Sequence, residues 1–117
     1  MEYLNRIELR GVVGNVKVTP ERDSAIARIS LMTAIAYKDS YGMPVIQSCW
    51  HNLVVFSGKD IPADTIKAIE KGDRLYIEGI LHQQRYTNDV GTTSSYYEVL
   101  VNKLSVLDKN QPINYQI

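Results

Sequence analysis

Aromatic side chains with cationic neighbours are the candidate binding residues of this chain. The aromatic ones are Tyr37, Trp50, Phe56 and Tyr86. Each belongs to, or closes, a stretch with the pattern of a β-strand or a β-hairpin. The basic neighbours are Lys38, Lys59 and Arg85. An aromatic face can stack on a nucleobase while a cation contacts phosphate, so the combination predicts a surface for an unpaired nucleic-acid strand.

Length and composition limit the classes of protein to which this chain can belong. The chain has 117 residues, of which 44% are apolar and 22% charged, and this suits one globular domain. We expect no membrane span and no secretory signal, because the apolar runs are short and Glu2 interrupts the N-terminus. The lone Cys49 excludes an internal disulfide and indicates a reducing cytoplasm. A formal net charge of zero argues against holding duplex DNA through bulk positive charge, but stacking requires only a few cations along one groove.

The pattern along the chain indicates an all-β protein. Alternating apolar residues predict strands over Ile7–Val13, Ala25–Ala36, Cys49–Phe56, Arg74–His82 and Tyr96–Val106. Pro62 and the Lys71–Gly72 pair bracket one helix, predicted over Ile61–Lys71. Three strands, a helix and two strands match the OB-fold, a five-stranded Greek-key barrel. We therefore predict a barrel domain over residues 1–108 and a loose tail over residues 109–117.

The connections are also predicted from composition. Pro20–Ser24 has the residues of a turn, within a compact connection over Val16–Ser24. Tyr37–Ser48 is polar and is predicted to be a loop or an extended hairpin tip. Asn88–Ser95 is predicted to be a polar loop.

Several segments resemble the bacterial single-stranded DNA-binding protein family, over roughly residues 5–107. Trp50-His51 followed by an aliphatic run and Phe56 is fairly specific to that family, as is the string from Lys71 to Gly79. Further matching segments are Asn5-Arg6-Ile7 with Gly11 and Gly14, Ala27–Leu31, Arg85–Thr87 and Tyr97–Val99.

The resemblance implies binding of single-stranded DNA in replication, recombination or repair, with no catalysis and no cofactor. Trp50 and Phe56 fall on aromatic positions of the family motif, while Tyr37 and Tyr86 stand where the family usually has tryptophan. The predicted phosphate contacts are Arg6, Lys38, Lys59 and Arg85. The resemblance also implies a homo-oligomer, a tetramer rather than a dimer, with subunit contacts at Ile7, Leu9 and His51.

Three departures from the family pattern affect these expectations. Glu8 and Arg10 occupy first-strand positions that are usually aliphatic, so they must pair across a subunit seam or face water. The compact Val16–Ser24 connection is expected to shorten one side of the DNA-binding groove. The sequence ends at Asn114–Ile117 without the acidic tip through which family members recruit replication and repair proteins.

Other functions remain as alternatives. A primosomal replication protein N-like member would be a dimeric replication-restart scaffold with weaker DNA binding. A protein–protein module would use the same aromatics as a subunit seam. Aromatics on strands often lie in the core, and packing is the expected role of Tyr3, Tyr76, Tyr96 and Tyr97. An enzyme or a metal site is not indicated, because Cys49, His51 and His82 form no ligand cluster and no nucleophile has a positioned base.

Overall fold

Alternation of apolar and polar residues produces long strands in the computed structural model, which describes residues 1–115. The elements are β1 (Ile7–Glu21), β2 (Ser24–Lys38), β3 (Pro44–Phe56), α1 (Ala63–Lys67), β4 (Arg74–Thr87) and β5 (Thr93–Leu107). The strands form a closed barrel in the order β1-β2-β3-β5-β4. β3 and β5 run parallel over three residue pairs, from Leu53–Val99 to Val55–Val101. The predicted five-stranded OB barrel, with its helix between β3 and β4, is confirmed.

The inward face of β2 supplies much of the core. Ala25, Ala27, Ile29 and Leu31 alternate along the strand and are at most 2% exposed. Burial of such side chains is the main favourable term in closing the barrel. The alternate residues of β2, which include Arg28, therefore face outward.

The helix is shorter than the predicted Ile61–Lys71. It begins at Ala63 and ends at Lys67, with Pro62 as its N-cap residue. The chain then turns, because Asp73 accepts a hydrogen bond from the Glu70 amide at 2.9 Å and Gly72 has a φ of 92°. Only glycine adopts that conformation readily. Ile66 and Ile69 are both buried, as expected, but Ile69 lies beyond the helix rather than on one helical stripe with Ile66.

Strand pairing extends further than the sequence pattern predicted. The Val16–Ser24 connection is strand except for the turn at Arg22-Asp23. β2 and β3 pair as far as Lys38 with Pro44, so Tyr37–Ser48 forms an extended hairpin tip, the second of the two predicted alternatives. β4 and β5 pair as far as Thr87 with Thr93, which shortens the predicted Asn88–Ser95 loop. These corrections have one cause: the polar strand ends are held by cross-strand hydrogen bonds, which composition does not reveal.

The segment before β1 is fixed to β4 by one side chain. Asn5 donates from Nδ2 to the Leu81 carbonyl and accepts from the Leu81 amide at Oδ1, both at 2.8 Å. The amide group thus matches both backbone hydrogen-bonding groups of one residue. This contact positions the neighbouring Arg6.

The first residues of the predicted tail touch the barrel. Lys109 Nζ lies 3.1 Å from Asp73 Oδ1, and Arg74 donates a hydrogen bond to the Gln111 carbonyl. Gln116 and Ile117 lie outside the described residues.

Candidate nucleic-acid interface

The outer face of β3 carries two open aromatic rings. Trp50, Asn52, Val54 and Phe56 alternate on this face, and Trp50 and Phe56 are 61% and 53% exposed. Their alternate neighbours Leu53 and Val55 fill the core. The alternation therefore gives β3 one face for packing and one face that is open at Trp50, Asn52 and Phe56 but covered at Val54.

The Trp50 indole lies over Gly14 of β1. A Cβ at Gly14 would overlap the Cζ3 and Cη2 atoms of the ring. The pairing of β1 with β2 shifts register at this glycine, between Val13 and Asn15. Because Gly14 has no side chain at this register shift, the Trp50 ring can reach across β2 to the backbone of β1. The ring is thereby supported from below while most of its area stays open.

A second aromatic pair lies on the outer face of the β4–β5 hairpin. The ring centroids of Tyr86 and Tyr96 are 6.4 Å apart with planes tilted by 55°. Both are exposed, Tyr86 by 56% and Tyr96 by 44%. The expectation that Tyr96 packs inside is therefore wrong, as it is for the exposed Tyr3 and Tyr97. The half-buried Tyr76 donates its hydroxyl to Glu8 at 3.0 Å.

A shallow groove lies between the Trp50 face and the tyrosine pair. We call it the outer groove and define it by Arg28, Asn52, Tyr96 and Glu98, with a volume of about 260 Å³. Lys17 also lines it. Arg28 reaches this place because it pairs with Val54 on β3. Sequence reasoning missed Arg28, Lys17 and Tyr96, whose meeting depends on the pairing of distant strands.

Two of the predicted aromatics are separated by the sheet. Tyr37 pairs with Val45, whereas Trp50 pairs with Met32. Since positions 32 and 37 are an odd number of residues apart, alternation puts Tyr37 on the opposite face of the β2–β3 hairpin from Trp50. Tyr37 is 42% exposed. A nucleic-acid strand that contacted both Tyr37 and Trp50 would have to follow the twist of the hairpin or cross its edge.

The predicted cations differ in their freedom. Lys38 is exposed and lies on the Trp50 face of the hairpin, while the exposed Lys59 follows Phe56 at the other end of β3. Arg85 is exposed and pairs with Ser95, next to the Tyr86–Ser94 pair, and so projects from the other face of β4.

Arg6 is already paired with acids of its own chain. It lies 2.8 Å from Glu8 and 3.3 Å from Glu78. The hydrogen bond with Glu8 raises the pKa of the Arg6 guanidinium, and the same bond lowers the pKa of the Glu8 carboxyl. Glu8 and Arg10 are both exposed, and the Arg10 guanidinium lies over the Tyr76 ring at 5.8 Å. The charges on β1 are therefore solvated within the protomer.

The residues expected at subunit contacts have roles inside the protomer. Ile7 and Leu9 are half-buried and pack against the core. The His51 Nε2 lies 2.8 Å from the Thr33 hydroxyl, and burial lowers the pKa of the imidazole. Whether these residues also meet a second copy stays a prediction.

Among residues 1–115, no three His, Cys, Asp or Glu side chains come together as metal ligands. Within that part of the chain, no helix has the length and apolar character needed to cross a membrane.

Comparison with known proteins agrees with this fold. The model of the single-strand binding protein family matches residues 4–107. A single-stranded DNA-binding protein of Xanthomonas campestris pv. campestris is 32% identical over 108 residues, which cover 89% of this chain and 60% of that protein. Single-stranded DNA-binding protein 1 of Xylella fastidiosa is 26% identical, covering 97% of this chain and 85% of that protein.

A solved structure also has the fold of this chain. The Plasmodium falciparum SSB in complex with ssDNA superimposes with a TM-score of 0.72 at 25% identity, covering 92% of this chain and 98% of that one. The closed five-stranded barrel thus defines a protein of the OB-barrel class. The chain belongs to the single-strand binding protein family. It spans about 60% of the length of the first curated relatives that it matches.

Proposed function

We propose that this protein binds single-stranded DNA, with little choice among bases at most positions. The observation that carries the proposal is the Trp50 ring, 61% exposed and seated on Gly14. A supported, open indole presents a π-face to any base, and such contacts contribute roughly 1–3 kcal/mol per base. Duplex DNA hides its base faces, so this surface discriminates against it. Stacking on Trp50, Phe56 and Tyr86 is thus the main source of preference for unpaired strands.

The proposed path of the strand follows the outer faces of β3 and the β4–β5 hairpin. It passes from Phe56 and Trp50 across the outer groove to Tyr96 and Tyr86. Lys38 and Lys59 stand at the two ends of β3 and contact phosphates there. Tyr37 and Arg85, on the opposite faces of their hairpins, contact a strand that wraps around the hairpin arms.

In the cell, this binding would protect unpaired strands during replication, recombination and repair. We further propose a homotetramer in the cytoplasm, with β1 and His51 at subunit contacts, and association with replication and repair proteins. The support is family membership, and for the compartment the lone Cys49. We also propose that residues 1–108 form the DNA-binding domain and residues 109–117 a tail. A dimer that binds DNA weakly would instead favour the primosomal replication protein N-like scaffold.

The test is a titration with oligo-dT and with duplex DNA of equal length, at two salt concentrations. We expect tight binding of oligo-dT, accompanied by quenching of Trp50 fluorescence, and little binding of the duplex. For Trp50→Leu, the anisotropy of a labelled oligo-dT should report about a tenfold or greater loss of affinity. Tyr3→Leu is the matched control, since Tyr3 is an exposed ring outside the proposed path. Equal affinities of the Trp50 variant and the control would remove the indole from the site.

A further inference from the structure

A buried carboxylate lies in the outer groove, where a bound polyanion would pass. Glu98 is 5% exposed and is the only buried polar or charged residue among residues 1–115. Burial of a carboxylate is costly unless it is paired and hydrogen-bonded. A negative charge there also opposes the approach of phosphate. The groove is therefore better suited to a group that donates hydrogen bonds.

The position of the carboxylate is fixed from one side. Its Oε1 lies 3.3 Å from His82 Nδ1 and 3.2 Å from Gln84 Nε2. His82 and Gln84 come from β4, and His82 is the cross-strand partner of Glu98. Because both partners engage Oε1, they hold the carboxylate in one orientation and leave the lone pairs of Oε2 for another donor.

The other oxygen faces a guanidinium. Oε2 lies 3.6 Å from Arg28 Nη1, beyond hydrogen-bond length, and the Arg28 side chain is 65% exposed. Arg28 is thus close enough to offset the charge and free enough to donate to a ligand. Side by side, Glu98 and Arg28 offer one acceptor edge and one edge with several donors.

We propose that the outer groove is a nucleobase subsite that favours cytosine, in which Glu98 Oε2 accepts from the exocyclic amine and Arg28 donates to ring N3 and O2. This inference rests on the proposed binding of single strands. Cytosine presents a donor followed by two acceptors, which complements an acceptor followed by donors. Uracil and thymine present a carbonyl oxygen in place of the amine, and that oxygen is repelled by the carboxylate.

The groove also has the dimensions and the wall that a base requires. Its volume is about 260 Å³, which leaves room for one base in a groove that is open to solvent on one side. Tyr96 lines the groove with an exposed ring, which can stack on the base. The subsite therefore selects at one nucleotide along a path that is otherwise tolerant of sequence.

The experiment compares oligo-dC with oligo-dU of equal length at mildly alkaline pH, where cytosine N3 is unprotonated. These polymers differ only at the amine, its carbonyl counterpart and N3, and neither has the thymine methyl group. We expect the protein to bind oligo-dC about fivefold or more tightly. Glu98→Gln, which offers an amide of similar shape, should bring the ratio of affinities to one or below. Glu70→Gln removes one exposed charge outside the groove and should leave the ratio unchanged.

A second variant tests the subsite on a side chain whose removal spares the fold. Arg28→Met should reduce the preference for oligo-dC, whereas a contact to phosphate alone would lower both affinities equally and overturn the assignment. Equal binding of the two polymers by the unsubstituted protein would also overturn it, and would leave single-strand binding standing. Failure to bind either polymer would overturn both the subsite and the proposed function.

Discussion

The indole of Trp50 occupies the space that a side chain at Gly14 would fill. The two residues lie on β3 and β1, with β2 between them. The contact couples the barrel's first strand to its most exposed large ring on β3. An aromatic platform on a strand needs support beneath it, since an unsupported ring loses rotamer freedom when a base stacks on it.

Gly14→Ala tests this support. The added methyl group overlaps the indole, so we expect the ring to be displaced, the free energy of unfolding to fall by about 1–3 kcal/mol, and the affinity for oligo-dT to fall as well. Trp50 emission and a denaturant titration measure the two effects. Gly58→Ala is the matched control, because a Cβ there meets nothing within 4 Å. If both variants behaved alike, the platform would not depend on Gly14.

The Tyr86–Tyr96 pair is predicted to act as one unit. Their centroids are 6.4 Å apart and both rings are exposed, so a base that stacks on one ring touches the other. We expect Tyr86→Leu and Tyr96→Leu each to weaken binding of oligo-dT, and the double variant to lose less than the sum. A double-mutant cycle measures the coupling, for which we expect roughly 0.5–1.5 kcal/mol. Additive losses would mean that the two rings contact different nucleotides.

Salt dependence distinguishes the free cations from the paired one. For single strands, each lost phosphate contact reduces the magnitude of the slope of log K against log salt by about 0.7. We expect such a change for Lys38→Gln and for Lys59→Gln. Lys67→Gln, on the exposed side of α1, should leave the slope unchanged. The same slope in all the lysine variants would exclude both ends of β3 as phosphate contacts.

Arg6 should change the slope less than the two lysines do. Its guanidinium already contacts Glu8 and Glu78. Because these carboxylates offset much of its positive charge, its attraction for a DNA phosphate is weaker. Arg6→Gln is measured in the same titrations, with Glu8→Gln beside it to release one of the acids. A full change of slope for Arg6→Gln would show that the carboxylates yield to phosphate.

The alternation of residues within each strand predicted which side chains share a face. The arrangement of the candidate site depends instead on how the strands pair with one another. Alternation over Cys49–Phe56 was enough to place Trp50 and Phe56 on one outward face, because period two is a property of each strand alone. The separation of Tyr37 from Trp50 depends instead on the register of the hairpin. One residue of shift would reverse it. Sequence spacing alone cannot supply that register.

The outer groove could not be predicted from the sequence for the same reason. Arg28, Asn52 and Glu98 come from three different strands, and their meeting requires both the β2–β3 pairing and the short parallel β3–β5 contact. Glu98 follows two tyrosines in a pattern that gave no sign of burial. Gly14 belongs to one of the family-like segments, but its contact with Trp50 depends on the pairing of β1 with β2 and of β2 with β3.

His51 gives the protein a predicted pH dependence. Burial lowers the pKa of its imidazole from the ordinary 6.5, so the unfolded chain binds a proton more tightly than the folded one. The stability is then fully present above about pH 6.5 and falls as the pH drops from there through the lower folded pKa. Below that pKa the loss from this residue levels off.

Urea titrations at several pH values between neutrality and about pH 5 measure this effect. We expect the free energy of unfolding to decrease over that range in the unsubstituted protein, and to decrease less in His51→Gln, which keeps a polar partner for the Thr33 hydroxyl. The difference between the two proteins isolates His51, since every other titratable group is present in both. Because subunit contacts at His51 would bury the ring further, the effect should grow with protein concentration if the predicted oligomer forms there. An identical pH profile for His51→Gln and the unsubstituted protein would assign the titration to other groups.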